Sequence, residues 1–268
     1  MTLQVKFAVR SEVGCVRKNN EDNFYCSGIF MTASERERPY FLTGTTSVPA
    51  IFAVCDGMGG EDCGELASFT AVQTLQEHSR EILQGAVDSD ESIAHEAVHQ
   101  YVRDTNTKLL GIMRSQNIRM GSTLVMSVIG EEAFTLYNLG DSRGFRLNNG
   151  RLLLATDDHT VAAEKVRLGM MSPAQAEKSR EKHILMRYLR DIDGWGAMPD
   201  ASRRFAFEDN TGGLMCSDGL TDMLTFREIA DIMQNTPEPS DAVNKLVDAA
   251  LERGGHDNVT CLVFRIEK

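Results

Sequence analysis

The sequence lacks any stretch that approaches the roughly twenty consecutive apolar residues of a membrane-spanning helix. Its opening residues, MTLQVKFAVRSEVG, lack the continuous apolar core of a secretory signal peptide. It also has no run of lysine and arginine that would follow a nucleic-acid backbone, and its formal net charge of -11 repels polyphosphates. We therefore expect a cytoplasmic protein that binds neither membrane nor nucleic acid.

Cysteine is sparse and scattered. The six cysteines form no C-x-x-C pair, which argues against a zinc knuckle and against a dithiol redox motif. We expect reduced and mostly buried thiols.

Length and hydrophobic content set the size of the fold. A chain of 268 residues with 42% hydrophobic residues is long enough for one sizeable core, and it contains no internal repeat or proline-rich linker. We therefore expect a single domain over residues 1–268.

Hydrophobic periodicity predicts alternating groups of strands and helices. Short strands are predicted at Lys6–Arg10, at Ile51–Cys55 with an end at Asp56, at Gly213–Ser217 and at Thr260–Ile266. Helices are predicted from Gly64 to about Gly85, from near Ser89, from Val161 to Arg190, and as a pair that begins near Phe226 and Ser240.

The segment from Ser122 to Ala155 contains four β-type runs, with the hairpin signal Asn149-Gly150 before the last, and it reads as an antiparallel meander. Antiparallel strands interleaved with paired helices indicate an α+β fold of layered helices and sheets.

The stretch His95-Glu96-Ala97-Val98-His99 has the H-E-x-x-H spacing of a zinc protease helix. Two imidazoles four residues apart share one helix face, but the sequence after His99 offers no third ligand in the expected pattern, because Val102 stands where glycine is needed. We interpret both histidines as part of a polar helix face directed toward solvent.

Aspartate beside glycine follows several β-type runs. It occurs at Asp56-Gly57, Gly140-Asp141, Asp218-Gly219 and Gly255-His256-Asp257, and a further acidic pair lies at Glu21-Asp22. One such aspartate would indicate a turn. Five acidic segments that converge would repel one another unless cations neutralised them, and oxygen-only ligands favour Mg²⁺ or Mn²⁺ over zinc.

The combined motifs resemble those of the metal-dependent serine/threonine protein phosphatases of the PPM (type 2C) family in their bacterial form. The resemblance spans nearly the whole chain and is carried by a set of short motifs in a fixed order: Gly14-x-x-Arg17-x-x-x-Glu21-Asp22, Val54-Cys55-Asp56-Gly57-Met58-Gly59-Gly60, Gly121-Ser122-Thr123, Gly140-Asp141-Ser142-Arg143, Asp158-His159-Thr160, Cys216-Ser217-Asp218-Gly219-Leu220 and Gly255-His256-Asp257-Asn258-Val259-Thr260.

The resemblance implies a four-layer α-β-β-α sandwich, in which two central antiparallel sheets are flanked by helices and the metals lie at one end. It implies two Mn²⁺ or Mg²⁺ ions bridged by Asp56, and a third ion in some members. The implied metal ligands are Glu21, Asp22, Asp56, Gly57, Asp141, Asp218 and Asp257.

Within this set, Asp218 and Asp257 complete the first ion site, and the Gly57 carbonyl serves the second with Asp22 or Glu21. Asp141, paired with Asp218, matches the position that holds the third ion. The resemblance also gives Arg17 the role of binding the substrate phosphate, for which a planar guanidinium is better suited than an ammonium.

Two cations about 4 Å apart lower the pKa of a bridging water and clamp an in-line displacement at phosphorus, so hydroxide is the expected nucleophile. A covalent phosphoenzyme is not expected, because no cysteine is followed six residues later by the arginine that cysteine-dependent phosphatases require.

Two positions depart from the family pattern. Met58 stands where some members carry a histidine that protonates the leaving group, which leaves His159 as the nearest candidate by motif, although we favour a structural role for it at a strand end. In the flap, about residues 161–200, Leu189-Arg190 replaces the expected Leu-Gly and is followed by the unusual Asp191-Ile192-Asp193-Gly194-Trp195-Gly196.

We therefore expect a monomeric phosphatase that acts on phosphoserine and phosphothreonine in proteins and opposes a bacterial Ser/Thr kinase. The alternatives are a catalytically weak phosphoprotein-binding regulator of the same fold, which an eroded carboxylate would indicate, and a zinc peptidase that uses His95 and His99. Substrate selection is expected to depend on the flap.

Overall fold

A computed structural model describes residues 3–36, 38–59, 63–88, 91–190 and 198–267 of the chain. The predicted helix start near Ser89 and the segment Asp191–Gly196 fall outside these ranges. None of the helices in the described ranges has the length and apolar character needed to cross a membrane.

The first sheet has six antiparallel strands in the order β3-β1-β13-β12-β8-β9. Its strands are β1 (Gln4–Glu12), β3 (Tyr40–Ser47), β8 (Arg143–Asn148), β9 (Arg151–Leu154), β12 (Gly212–Cys216) and β13 (Val259–Glu267).

The second sheet is built around the order β10-β7-β6-β4-β2, with β11 also on β7 and β5 on β4. Its strands are β2 (Asp22–Cys26), β4 (Ala50–Gly59), β5 (Met120–Ser122), β6 (Leu124–Ile129), β7 (Ala133–Leu139), β10 (Asp200–Ala201) and β11 (Phe205–Ala206).

The helices occupy the outer layers and the flap. They are α1 (Gly64–Val87), α2 (Glu91–Gln116), α3 (Val161–Arg167), α4 (Pro173–Ala176), α5 (Asp218–Thr221), α6 (Phe226–Asn235) and α7 (Pro239–Glu252), with short 3₁₀ turns at Ala33–Glu35 and Arg180–His183.

Three apolar layers hold these elements together. One lies between the second sheet and the helices α1 and α2, and includes Leu75 and Tyr101. A second lies between the two sheets and contains Phe52 and Phe264, whose stacked rings are 5.8 Å apart. The third packs α6 and α7 against the first sheet around Leu246. The predicted α-β-β-α sandwich of an α+β protein is therefore confirmed.

Most predicted elements are present, and the Asn149-Gly150 hairpin is confirmed because both residues have positive φ angles, 48° and 73°, between β8 and β9. Three predictions of secondary structure were wrong. Strand β4 does not end at Asp56 but continues to Gly59, since β5 pairs with its last three residues.

The predicted single meander is in fact two hairpins. Strands β6 and β7 belong to the second sheet, whereas β8 and β9 belong to the first, and the chain changes sheet between Leu139 and Arg143. The region from Val161 to Arg190 is α-helical only in α3 and α4, and its return leg is extended.

Candidate metal centre

Asp22 and Asp56 lie opposite each other on neighbouring strands. The antiparallel register of β2 and β4 pairs the two residues directly, with Asp56 following the fully buried run from Ala50 to Cys55. Opposite residues on one face of an antiparallel pair lie about 5 Å apart at Cβ. The acidic pair is therefore built into the side of the second sheet that β4 and β2 form.

Asp22 is completely buried and is held from the other sheet. The hydroxyl of Ser217, directly after β12, donates to Asp22 Oδ2 at 2.7 Å, while Asp22 Oδ1 is buried without a hydrogen-bond partner among the described residues. Ser217 Oγ also accepts from the Thr260 amide at 3.0 Å. This polar network joins the two sheets behind the acidic cluster.

The first sheet supplies two further acids. Asp218 follows β12 as the first residue of α5, and Asp257 lies in the turn that leads into β13. Because β12 and β13 are antiparallel neighbours, the last residues of β12 and the first residues of β13 lie side by side at the same end of the two strands. Asp56, Asp218 and Asp257 thus come from three distant parts of the chain.

The electrostatics of these carboxyl groups show that they are close to one another. Burial raises the pKa of Asp56 well above its ordinary value, and the charges of Asp22, Asp218, Asp141 and Asp257 raise it further. Burial also raises the pKa of Asp22 to about 7, despite its hydrogen bond from Ser217. The protein therefore concentrates acids that cannot all ionise unless positive charge is supplied.

Glu21 and the carbonyl of Gly57 lie on the same side of the cluster. A methyl group added to Gly64 would meet the carboxyl carbon of Glu21 and the Gly57 oxygen, each at 2.7 Å. A side chain on Gly57 would lie 1.9 Å from the Gly64 carbonyl, so only glycine allows the start of α1 to pack here. Glu21 is therefore positioned beside the Gly57 carbonyl.

The loop that carries Arg17 is fixed by Asn258. The Asn258 amide nitrogen donates to the carbonyls of Val13 and Asn19 at 2.8 and 2.9 Å, and its oxygen accepts from the Glu21 amide at 2.8 Å. Arg17 Nη2 is 2.8 Å from Asp257 Oδ2, and its side chain is half exposed. Arg17 is therefore held at the open edge of the cluster with its guanidinium accessible.

The motif Gly121-Ser122-Thr123 holds the backbone around Asp56. Thr123 donates its amide to the Asp56 carbonyl at 2.8 Å, and its hydroxyl accepts from the Asp56 amide at 2.9 Å. Ser122 Oγ donates to the same carbonyl at 3.1 Å. The Thr123 hydroxyl also lies 2.6 Å from the Ser142 hydroxyl, next to Asp141.

Asp141 lies in the segment where the chain changes from the second sheet to the first. Burial and then Asp218 raise the pKa of Asp141 to about 8. Nearby, Arg143 binds Asp158 through two nitrogens, at 2.9 and 2.6 Å, which joins two of the motifs found in the sequence.

His159 has a fixed hydrogen-bonding role beside this turn. Its Nδ1 accepts from the Gly140 amide at 3.0 Å, so the ring proton is on Nε2, which faces Asp200 Oδ2 at 3.0 Å. The side chain is buried, and burial lowers the pKa of His159. The geometry supports the structural role over proton donation.

The flap contributes a residue that the sequence motifs missed. One ligand atom each from His183, Asp218 and Asp222 lies within 4.8 Å of the others, and no other such group of three is found in the described ranges. His183 Nδ1 is 3.8 Å from Asp218 Oδ2, while Lys182 pairs with Asp222 at 2.8 Å. Asp222 follows Asp218 by one helical turn, a spacing that could have identified it; His183 had no comparable signal.

The return leg of the flap is paired with β5. Leu189 and Ser122 exchange backbone hydrogen bonds of 2.8 and 3.1 Å. Since β5 also pairs with β4, the order across this part of the protein is Gly57, Ser122, Leu189. The end of the flap is therefore next to the strand that holds the acids.

The two histidines of the protease-like motif are remote from this cluster. His95 Nδ1 lies 2.9 Å from the hydroxyl of the buried Tyr137, so His95, expected nearer the solvent side of its helix, is only partly exposed. His99 is partly buried, and burial lowers the pKa of its imidazole. Neither belongs to the three-residue group described above, so the zinc peptidase hypothesis has no support here.

The cysteines agree with the prediction of reduced thiols. All six are free, and all except Cys15 are buried. Burial raises the pKa of Cys216 to about 12, which makes this thiol a poor nucleophile.

The donor set fits hard divalent cations. The acids around Asp56 and the Gly57 carbonyl offer oxygen only, as Mg²⁺ and Mn²⁺ prefer. The raised pKa values of Asp22, Asp56 and Asp141 are the expected property of carboxylates that lack a counter-charge. Asp22 Oδ1, which has no hydrogen-bond partner within the described ranges, adds a further acceptor behind them.

Comparison with known proteins agrees with this description. A family model described as Protein phosphatase 2C matches residues 40–252. The sequence is 30% identical over 256 residues to the serine/threonine phosphatase stp of Listeria welshimeri. This match covers 95% of this chain and 93% of that protein. It is 29% identical over 268 residues to the serine/threonine protein phosphatase PstP of Mycobacterium tuberculosis, covering 98% of this chain and 45% of that protein.

The fold also matches a solved structure that contains metal. The catalytic domain of PstP, crystallised in complex with two manganese ions, superposes with a TM-score of 0.78 at 28% identity, and the match covers 100% of both chains.

Proposed function

This chain belongs to the protein phosphatase 2C family of metal-dependent serine/threonine phosphatases, and we propose that its clustered acids hold two Mn²⁺ or Mg²⁺ ions for the hydrolysis of phosphoserine and phosphothreonine in proteins. The observation that carries the proposal is the convergence of acids from both sheets on Asp56. Burial and the charges of four neighbouring aspartates raise the pKa of Asp56.

Each acid has a proposed place. Asp56 would be a ligand of both ions, Asp218 and Asp257 would complete the first site, and the Gly57 carbonyl would serve the second together with Glu21. The position of Glu21 beside that carbonyl supports its assignment.

Asp22 supports the second site from behind, in keeping with its burial and its hydrogen bond from Ser217. Asp141 and Asp218 are the proposed ligands of a third ion. Asp222 is added as a proposed third ligand, and its closeness to Asp218 and His183 supports this.

When bound, the pair of ions supplies a hydroxide nucleophile at neutral pH and neutralises charge on the phosphoryl group. Arg17 orients the substrate, because its half-exposed guanidinium can bind two phosphate oxygens as a planar fork. Its contact with Asp257 holds it in place before the substrate arrives. A covalent intermediate on cysteine is disfavoured by the raised pKa of the buried thiols.

His159 is not the proton donor to the leaving group in this proposal. Its Nδ1 accepts a backbone hydrogen bond, and its Nε2–H is directed to Asp200. Met58 has no titratable group.

We further propose that residues 1–268 act as one phosphatase domain whose flap, about residues 161–200, selects the phosphoprotein. The expected partners are substrates of a bacterial Ser/Thr kinase, and the expected state is a cytoplasmic monomer. The alternative, a weakly active phosphoprotein-binding regulator, is not favoured, because every acid of the proposed site is present.

The decisive experiment is hydrolysis of a phosphothreonine peptide with Mn²⁺, followed by addition of a chelator. We expect turnover with Mn²⁺, loss with the chelator and recovery when Mn²⁺ is restored. Binding of the peptide without turnover under all metal conditions would favour the regulator. Metal analysis adds an independent measure, since the proposal requires at least two Mn²⁺ per chain.

A further inference from the structure

Arg190, where the flap leaves its pairing with β5, is a residue whose properties the proposed reaction does not use. We propose that its guanidinium binds an anionic group of the phosphoprotein, either a carboxylate or a second phosphate, close in sequence to the phosphorylated residue. This inference rests on the proposed function and makes Arg190 a determinant of substrate specificity.

The backbone at Arg190 is strained. Its φ angle is +152°, in the region that favours glycine, and residues with long side chains adopt it only when the surrounding structure enforces it. The family pattern has glycine at this position, so the chain carries arginine at a cost in conformational free energy. Such strain at the edge of an active site indicates that the side chain has a use there.

The guanidinium is held in place, and no ion pair neutralises it among the residues that the structure describes. Its central carbon lies 5.1 Å from the centre of the Tyr188 ring, a distance typical of a cation–π contact. The Tyr188 ring is itself fixed, because it lies 2.8 Å from the position that a Cβ of Gly121 would occupy. Arg190 Nε is buried and has no hydrogen-bond partner in the described part of the chain.

The position of Arg190 suits a contact with a neighbour of the phosphorylated residue. Leu189 pairs with Ser122, and Ser122 pairs with Gly57, whose carbonyl belongs to the proposed metal centre. Two strand spacings separate the flap from Gly57, which is about 10 Å. An extended peptide covers that distance in about three residues.

The chemistry of the contact identifies the ligand. A guanidinium that is stacked on one face presents its edge as a rigid fork of N–H donors, which matches a carboxylate or a phosphate. We therefore expect this enzyme to prefer phosphopeptides with an acidic residue two or three positions from the phosphorylated residue.

The test compares three phosphothreonine peptides that carry glutamate, phosphoserine or glutamine at that position. For each peptide, kcat/KM is measured with Mn²⁺ for the wild type and for Arg190→Gly, Arg190→Ala and Arg180→Ala. We expect the wild type to prefer the glutamate or the phosphoserine peptide over the glutamine peptide by about tenfold. Which of the two is preferred identifies the natural anion.

Both substitutions of Arg190 should abolish this ratio. Arg180→Ala, which removes an exposed positive charge elsewhere in the flap, should keep this ratio. The glycine variant should also raise Tm by about 2–4 °C because glycine adopts the observed φ without strain, whereas the alanine variant should not. Loss of selectivity together with a gain in Tm is specific to the proposed role.

Two outcomes would overturn the inference: equal kcat/KM values for all three peptides in the wild type, or an unchanged preference in Arg190→Gly. If the wild type hydrolysed none of the peptides with Mn²⁺, the proposed function itself would fail. The two failures are therefore distinguishable.

Discussion

Ser217 directly follows β12 of the first sheet, whereas Asp22 begins β2 of the second, and the hydroxyl of Ser217 donates to the Asp22 carboxyl group at 2.7 Å in the buried space behind the acids. The contact aligns the end of β12 with the start of β2. The cluster depends on this alignment, because Asp56 lies in a strand of the second sheet and Asp218 follows a strand of the first. The properties of the centre therefore depend on how the two sheets are packed.

Stability without divalent cations should fall as the pH rises from 5 to 8. The pKa of Asp22 is raised to about 7 and that of Asp141 to about 8, both above the value of about 4 in an unfolded chain. The folded state then holds more protons than the unfolded state over this range, so deprotonation destabilises it. Tm in the presence of a chelator should be lower at pH 8 than at pH 6.

Mn²⁺ should reverse that trend, because it stabilises the ionised carboxylates and displaces fewer protons at pH 8. Its effect on Tm should therefore be larger at pH 8 than at pH 6. Asp22→Asn provides a matched control in which the dependence on pH is weaker. A Tm that rises with pH in the chelator would contradict the assignment.

Asp56→Asn and Asp218→Asn should each reduce Mn²⁺-dependent hydrolysis of p-nitrophenyl phosphate by more than about 100-fold, because each removes a charged ligand. Circular dichroism should confirm that the variants fold. His95→Ala combined with His99→Ala should retain close to normal activity. A dead histidine variant beside active aspartate variants would reverse the assignment.

Arg17→Ala should raise KM for a phosphopeptide by about tenfold, since a charge-assisted bidentate hydrogen bond is lost. Mn²⁺ content, measured by mass spectrometry, should remain at the wild-type level because Arg17 is not a ligand. Arg17→Lys should recover only part of the affinity, as an ammonium lacks the planar fork. An unchanged KM would argue against binding of the phosphate by Arg17.

His159→Ala should lower the free energy of unfolding by about 1–3 kcal/mol, because it leaves the buried Gly140 amide without an acceptor. Urea denaturation measures this change, and His159→Asn should restore part of it. The dependence of kcat on pH should keep its shape in His159→Asn. If the decrease of kcat at high pH disappeared in this variant, His159 would instead be identified as a proton donor.

The sequence predicted best what depends on local pattern. The helix from Gly64 and the strand at Thr260–Ile266 follow from apolar periodicity, and the acids at Asp56, Asp218 and Asp257 follow from short motifs. These features can be recognised in the sequence because each depends on residues that are close together along the chain.

Tertiary contacts decided the features that were missed. The continuation of β4 beyond Asp56 depends on pairing with β5, which residues with low strand propensity such as Gly57 do not signal. His95 was expected to face solvent, but it contacts Tyr137, which is 42 residues away. The change of sheet at Gly140 leaves no trace in hydrophobic alternation, because strands of both sheets alternate in the same way.

The position of β13 has a consequence for biosynthesis. This strand lies between β1 and β12, near the middle of its sheet, although its residues, 259–267, are translated after all the other strands. Until residues 257–267 emerge from the ribosome, the nascent chain lacks both Asp257 and the strand that joins β1 to β12. The proposed metal centre therefore cannot be completed before residues 257–267 have been translated.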